Sequence, residues 1–483
     1  MDSADSAQSG GKFHRALGLL DSTAVVVGSM IGSGIFLVSA ETARNLGSPF
    51  WFLVAWVVSG GLTVLGATCY SELASMYPHA GGQYVFLREA YGKLVGFLYG
   101  WTLFMVIQSG TNAAVAVAFA KFLGVFAPAI SDQYALFGFG GWSFTTQQLV
   151  ALAVIVLLTG INCMGISMAK MIQTSFTIIK VIALFLLILI GIFAFSHHQG
   201  VEVNISRMWE AVDSHGNVLS GFGLIAALSL ALVGPLFASD AWNNVTFAGE
   251  EVKDPEKTLP RSLILGTALV CMLYLLTNVV YLLLLPLFGT EGGATVMARG
   301  IQYAAQDRVG TAALEVIFSD AGEKIMAIAI MISTFGALNG LILSGPRLYY
   351  AMARDGLFFK QAGILNARTN VPVFGLVIQG VWSCVLATSG TYSQLLEFVI
   401  FAALLFYVFT VSAVIVMRRR HPDMERPFKV PLYPVLPVIY VVSALVVMAG
   451  QIYLHWEYSG AGLLIILSGL PVYLFWRWRG RTA

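Results

Sequence analysis

Charge is what this 483-residue sequence has least of: Asp, Glu, Lys and Arg make up 11% of it, against about 25% in ordinary soluble domains. With 58% hydrophobic residues and a mean hydropathy of +0.80, that scarcity excludes a soluble protein and places the chain in a bilayer. The net charge of +2, with no long block of like charge beyond Arg418, Arg419 and Arg420, argues against a nucleic-acid partner. Cysteine is scarce too. Cys69, Cys163, Cys271 and Cys384 lie far apart with no C-x-x-C or Cys/His cluster, so neither a disulfide framework nor a zinc site is expected. His197 and His198 read as a solvated pair in an external loop, since no other ligands accompany them. No Ser/His/Asp, Cys/His or metal cluster gathers near one membrane depth, so the chain is not expected to be an enzyme, and no cofactor is expected. The opening "MDSADSAQSGGKFHR" lacks the short apolar core and A-x-A site of a signal peptide, and is read as a cytosolic tail entering a retained helix.

What the chain does have is apolar segments of about 20 residues, the length that crosses ~30 Å of hydrocarbon. They fall near 17–40, 50–74, 95–123, 147–166, 172–195 and 220–247, then near 262–288, 322–350, 371–389, 393–417, 431–453 and 459–477, twelve in all. An N-terminus inside puts 20 of the 27 lysines and arginines on the cytosolic side, so both termini are expected there. Lys180 sits inside the fifth span.

Two spans are interrupted. The first, "VVVGSMIGSGIFLV", carries Gly28, Gly32 and Gly34, and the sixth, "LSLALVGPLFASDAWNNVTFAGEEV", carries Gly234, Pro235, Asp240, Asn243 and Asn244. A repeat of spans one to five and six to ten has odd length, so its second copy must enter from the opposite side. Interrupted helices at matching positions of such a repeat point to a transporter binding site.

G-x-x-x-G at Gly28 and Gly32 can serve close helix packing, but packing does not account for Ser33 between Gly32 and Gly34. A nucleotide loop is a poor reading, because the order is not G-x-G-x-x-G. An unwound stretch there would expose amides to a cavity, with a half-helix N-terminus facing it, a site suited to a carboxylate. Asp240 has two roles open to it, N-cap of the second half of span six or a carboxylate facing the cavity. Lys180 either snorkels or faces protein, where its ammonium could replace a bound cation on carbonyls freed at the first break. Ser333, Thr334 and Asn339 in span eight are polar partners or interhelical glue, and Gln108, Thr111 and Asn112 in span three either line a pocket or serve as such glue. The loop "GEEVKDPEKTLPRS" reads as a stopped helix end or as a cytosolic gate using Glu250, Glu251 and Arg261.

Four stretches together, "GSMIGSGIF", "PHAGGQYVFLREAYG", "FASDAWNNVTFAGEEVKDPEKTLPRS" and "STFGALNGLILSGPRLYYAMARDG", resemble the L-type branch of the amino acid, polyamine and organocation transporters. The resemblance is nearest to bacterial serine/threonine and alanine/serine/cysteine exchangers. It implies an all-α membrane protein of twelve helices with a five-plus-five inverted repeat, broken helices one and six, and two added helices. The implied divisions are a tail (1–16), repeats over 17–195 and 220–417, a loop and two helices over 418–479, and a second tail (480–483). It also implies sodium-independent exchange of neutral amino acids by alternating access in the inner membrane.

Carried over by motif, the amides of Ser33 and Gly34, with Ser29 and Gly32 nearby, would hold a substrate carboxylate. The carbonyls of Met30, Ile31, Phe237 and Asp240 would hold its ammonium, with Phe237 as an aromatic gate, Ser239 and Asn112 at the pocket, and Lys180 with Ser333 and Thr334 in place of sodium. Ser239 and Ala241 depart from the tyrosine and glycine common in relatives, and Asp240 from the glycine of animal members. Residues 121–149 lack the cysteine that links animal members to a glycoprotein, so no covalent heavy chain is expected and a monomer is possible. Two further functions stay open: a proton-coupled symporter or uniporter with Asp240 or Lys180 titrating, and a sensor that binds amino acids but moves few.

Overall fold

The computed structural model describes residue 15 and residues 17–139, 142–194, 199–212, 216–389 and 392–479; His197, His198 and the tail 480–483 lie outside these. Nineteen helices follow one another among the described residues. The first half holds α1 (Leu19–Met30), α2 (Gly34–Leu46), α3 (Pro49–Met76), α4 (Gln83–Tyr91), α5 (Lys93–Thr102), α6 (Gln108–Leu123), α7 (Thr146–Cys163), α8 (Ile166–Phe193) and α9 (Gln199–Ser206). The second holds α10 (Gly221–Ala231), α11 (Val233–Ala238), α12 (Asn244–Phe247), α13 (Pro255–Leu284), α14 (Val296–Arg299), α15 (Val309–Arg354), α16 (Val373–Ala387), α17 (Tyr392–Arg420), α18 (Val435–Leu454) and α19 (Trp456–Arg479). An antiparallel hairpin, β1 (Ala135–Phe139) with β2 (Trp142–Thr145), precedes α7.

Ten of these helical stretches are long and apolar enough to cross a membrane, and the bent pair α1 and α2 makes an eleventh. The chain is thus a multi-pass membrane protein. The expected segment 371–389 forms only the 15-residue α16, which at 1.5 Å per residue reaches ~22 Å, short of a ~30 Å core. The sixth segment keeps Gly221–Ala238 as its span. Beyond Ala238 the backbone leaves the helix and returns only for the single turn of α12.

Local chemistry sets the helix ends. Gly18 starts α1, its amide donating to Asp21 Oδ2 at 3.2 Å, and Ser48 Oγ accepts from the Trp51 amide at the start of α3, with Pro49 in the first turn. Thr145 and Gln148 form a capping box on α7, and Gly47 closes α2 in the left-handed conformation at φ 46°. Aromatic and aliphatic side chains such as Tyr70, Tyr84, Phe97, Tyr274 and Phe247 are fully enclosed between the helices. In the centre of that packing, α1 lies against α13, α8 and α15, and α11 lies against α2, α3 and α17.

Candidate functional site

The first span stops being a helix at Met30 and resumes at Gly34, the two pieces meeting at 43°. Ile31 leaves α1 with an extended ψ of 92°, so the carbonyls of the last turn lose their helical partners. Side chains from three helices take them up. Lys180 of α8 donates to Gly28 O at 2.6 Å and Ile31 O at 2.8 Å, Tyr274 of α13 donates to Met30 O at 2.9 Å, and Ser333 of α15 donates to Ile31 O at 3.2 Å and Gly32 O at 3.4 Å. Lys180 is 1% exposed, so it faces protein and does not snorkel. An ammonium at the negative end of α1 meets both the charge and the hydrogen-bond demand of those oxygens.

Two glycines of the motif have steric work of different kinds. A Cβ at Gly34 would stand 2.7 Å from Ala238 Cα, so α2 and α11 touch backbone to backbone. One at Gly28 would stand 2.2 Å from Thr177 Oγ1 on α8. Gly32 is different: its Cβ would meet Ala337 Cβ at an ordinary 3.6 Å.

Between the breaks lies a small buried cavity, walled by Ser29, Met30, Gly32, Ser33 and Gly34 from the first span, Thr111 and Val115 from α6, and Phe237, Ala238, Asp240 and Ala241 from the second break. Ala337 and Leu341 of α15 close it. Ser33 and Gly34, where α2 begins, contribute to this wall, and the Phe36 amide of that first turn donates back to Ser33 O at 3.1 Å. Asp240 is buried and accepts from Tyr407 of α17 at 2.5 Å. The residue before α12 is Asn243, so Asp240 is not the N-cap of that turn.

The chain is similar to known proteins over nearly its whole length. The family model described as "Amino acid permease" matches residues 17–467. The chain belongs to the amino acid permease family. The permease is 30% identical over 491 residues to the human "Large neutral amino acids transporter small subunit 2", covering 99% of this chain and 84% of the relative. It is 28% identical to the mouse "b(0,+)-type amino acid transporter 1" over 95% of this chain and 87% of the relative. It is 29% identical to the mouse "Asc-type amino acid transporter 1" over 96% and 82%. The resemblance drawn from its motifs therefore names the right family, and the permease is a transporter, not an enzyme.

Some expected residues sit elsewhere in the permease. Ile31 offers its carbonyl to Lys180 and Ser333 instead of the cavity. Asn112 turns to α16, donating to Ser383 Oγ at 3.3 Å, and its neighbour Thr111 takes the cavity wall. Ser239 lines an adjoining space with Trp242 and Tyr440. The Thr334 hydroxyl bonds back to Ile330 O at 2.9 Å on its own helix, leaving Ser333 alone beside the break.

At the end of the bundle where the chain begins, the buried Glu251 accepts from Arg347 Nε at 2.7 Å. Glu250 accepts from the Ala80 amide at 3.3 Å. Leu17 bridges the same place, its amide donating to Glu251 O at 3.0 Å and its carbonyl accepting from Lys253 N at 2.9 Å. Arg261 is exposed, and the buried partner of Glu251 is Arg347, 96 residues further on. Nearby, Asp355 accepts from Tyr84 Oη at 2.6 Å and from Arg88. Burial, then Asp355, pushes the Tyr84 phenol above its ordinary range, so it stays a donor.

Proposed function

We propose that this permease is a sodium-independent exchanger of neutral L-amino acids that works by alternating access. The observation that carries this reading is the Lys180 ammonium on the carbonyls of Gly28 and Ile31. A positive charge on Lys180 at the broken end of α1 would supply what a co-transported cation otherwise brings to it. The substrate carboxylate would lie on the amides of Ser33 and Gly34 beside Ser29, and the ammonium on the carbonyls of Met30, Phe237 and Asp240. One of the named relatives is a transporter of large neutral amino acids, which supports a neutral class here.

The same proposal takes helices one to five and six to ten as inverted repeats (17–195 and 220–417), with both termini on the cytosolic side of the inner membrane. Glu251 with Arg347 and Glu250 with the Ala80 amide then form the inner gate. No covalent heavy chain is proposed, because residues 121–149 contain no cysteine. Proteoliposomes loaded with unlabelled alanine or serine should take up labelled alanine in sodium-free buffer. Equal uptake into empty vesicles sinks the exchange claim.

Buried Asp240 with its Tyr407 hydrogen bond favours one alternative, proton coupling. That reading requires an imposed pH gradient to drive uptake into empty vesicles.

A further inference from the structure

A second cavity adjoins the first. Thr111, Asp240, Ala241 and Leu341 wall both, and the second adds Asn244 and Tyr407. Its space is about 20 Å³, room for roughly one water-sized group.

The chemistry of this second wall is uneven. The Tyr407 hydroxyl spends its proton on Asp240 Oδ1 at 2.5 Å, and the Thr111 hydroxyl spends its own on Ile107 O at 2.6 Å, so both present lone pairs. Asn244 is 3% exposed and its Nδ2 has no partner. The Tyr99 hydroxyl, which also lines this space, is unpartnered too, so at least two donors and several acceptors surround a space the size of a hydroxyl.

Resting on the reading that the first cavity holds the amino and carboxylate groups, we infer that the second takes the tip of the substrate side chain. Asn244 and Tyr407 make it select a tip that carries one hydrogen-bonding group over the apolar isostere. A hydroxyl accepts from Asn244 and donates to an oxygen of the wall, whereas a methyl fills the space and leaves Asn244 unpaired. Alanine is too short to reach and leaves room for a water making the same bonds. A carboxylate tip meets the Asp240 carboxylate, and an ammonium or guanidinium on its long stem exceeds the space. The order is therefore not one of size: alanine and serine are accepted, and 2-aminobutyrate, the same shape as serine, is not.

The test is competition by unlabelled alanine, serine, 2-aminobutyrate, threonine, valine and lysine against labelled alanine exchange. Thermal-shift binding of the same six to the purified full chain accompanies it. Serine should outcompete 2-aminobutyrate, and threonine valine, by about tenfold or more, as a site built around a polar group does. In Asn244→Leu and Tyr407→Phe both ratios should fall to within about threefold of one. A wild-type ratio near one, lysine above serine, or wild-type ratios kept by both variants overturns the inference. Binding in the expected order without any exchange sinks the transport mode and leaves the subsite standing.

Discussion

The Lys180 ammonium stands 2.6 Å from the carbonyl oxygen of Gly28, and the same nitrogen reaches Ile31 O at 2.8 Å across the end of α1. A 152-residue separation in sequence becomes a single buried contact that defines the break. The break persists because its orphan carbonyls are satisfied, which a helix end inside a membrane protein requires.

Replacing that ammonium should separate function from folding. Lys180→Ala leaves Gly28 O and Ile31 O short of a donor, at about 1–3 kcal/mol for each unsatisfied group; Ser333 still reaches Ile31 O. Alanine exchange should fall by at least about tenfold, the factor that 1.4 kcal/mol represents, while the purified variant still elutes as one symmetric peak. Undiminished exchange would leave the lysine a packing role only.

Gly34→Ala and Gly32→Ala should behave oppositely. The added methyl at Gly34 meets Ala238 backbone at 2.7 Å, and backbone cannot rotate away; overpacking of this kind costs about 1–3 kcal/mol. At Gly32 the methyl meets Ala337 at 3.6 Å and projects beside the cavity. Melting temperature should fall for Gly34→Ala and hold for Gly32→Ala, with alanine exchange reduced in both. A stable Gly34→Ala would mean the two breaks can separate.

The pair of Glu251 and Arg347 calls for a cycle of variants. Arg347 and Glu251 are 3% and 10% exposed, so removing one partner strands a buried charge at a cost of about 3–5 kcal/mol. Glu251→Gln and Arg347→Gln should each lower melting temperature sharply, and the double variant should recover part of the loss. Coupling above about 1 kcal/mol marks a direct pair, and strict additivity marks independent sites.

The two breaks and the buried lysine were legible because each violates what a membrane helix otherwise obeys: glycine at its centre, a charge within it, acid and amide residues in a row. The partner of Glu251 was not legible, since Arg347 is separated by 96 residues and Arg261 lies closer in sequence. Which of the neighbours Thr111 and Asn112 reaches the cavity was not legible, for a local reason. A π turn over Leu103–Ile107 runs directly into α6, and its extra residue rotates the following face by about 100° from a regular α count. Tyr407 and Tyr274 carried no signal, because aromatics are plentiful in such helices and only the fold aims their hydroxyls at Asp240 and Met30 O.

Ala241 stood out in the sequence as alanine where glycine is common, and the backbone gives that departure a cost. Its φ of 64° is left-handed, a conformation that burdens an L-residue by about 1–2 kcal/mol and glycine by almost nothing. Glycine in turn loses about 0.4–1 kcal/mol through a freer unfolded chain, so Ala241→Gly should leave melting temperature unchanged or slightly raised. The functional effect should be larger. Ala241 walls both cavities, and removing its methyl enlarges the space proposed for the side-chain tip. Competition by valine and leucine should therefore rise relative to alanine in this variant. A drop in stability would show that the Ala241 methyl contributes packing that outweighs its strain, and an unchanged substrate order would place the selective wall elsewhere.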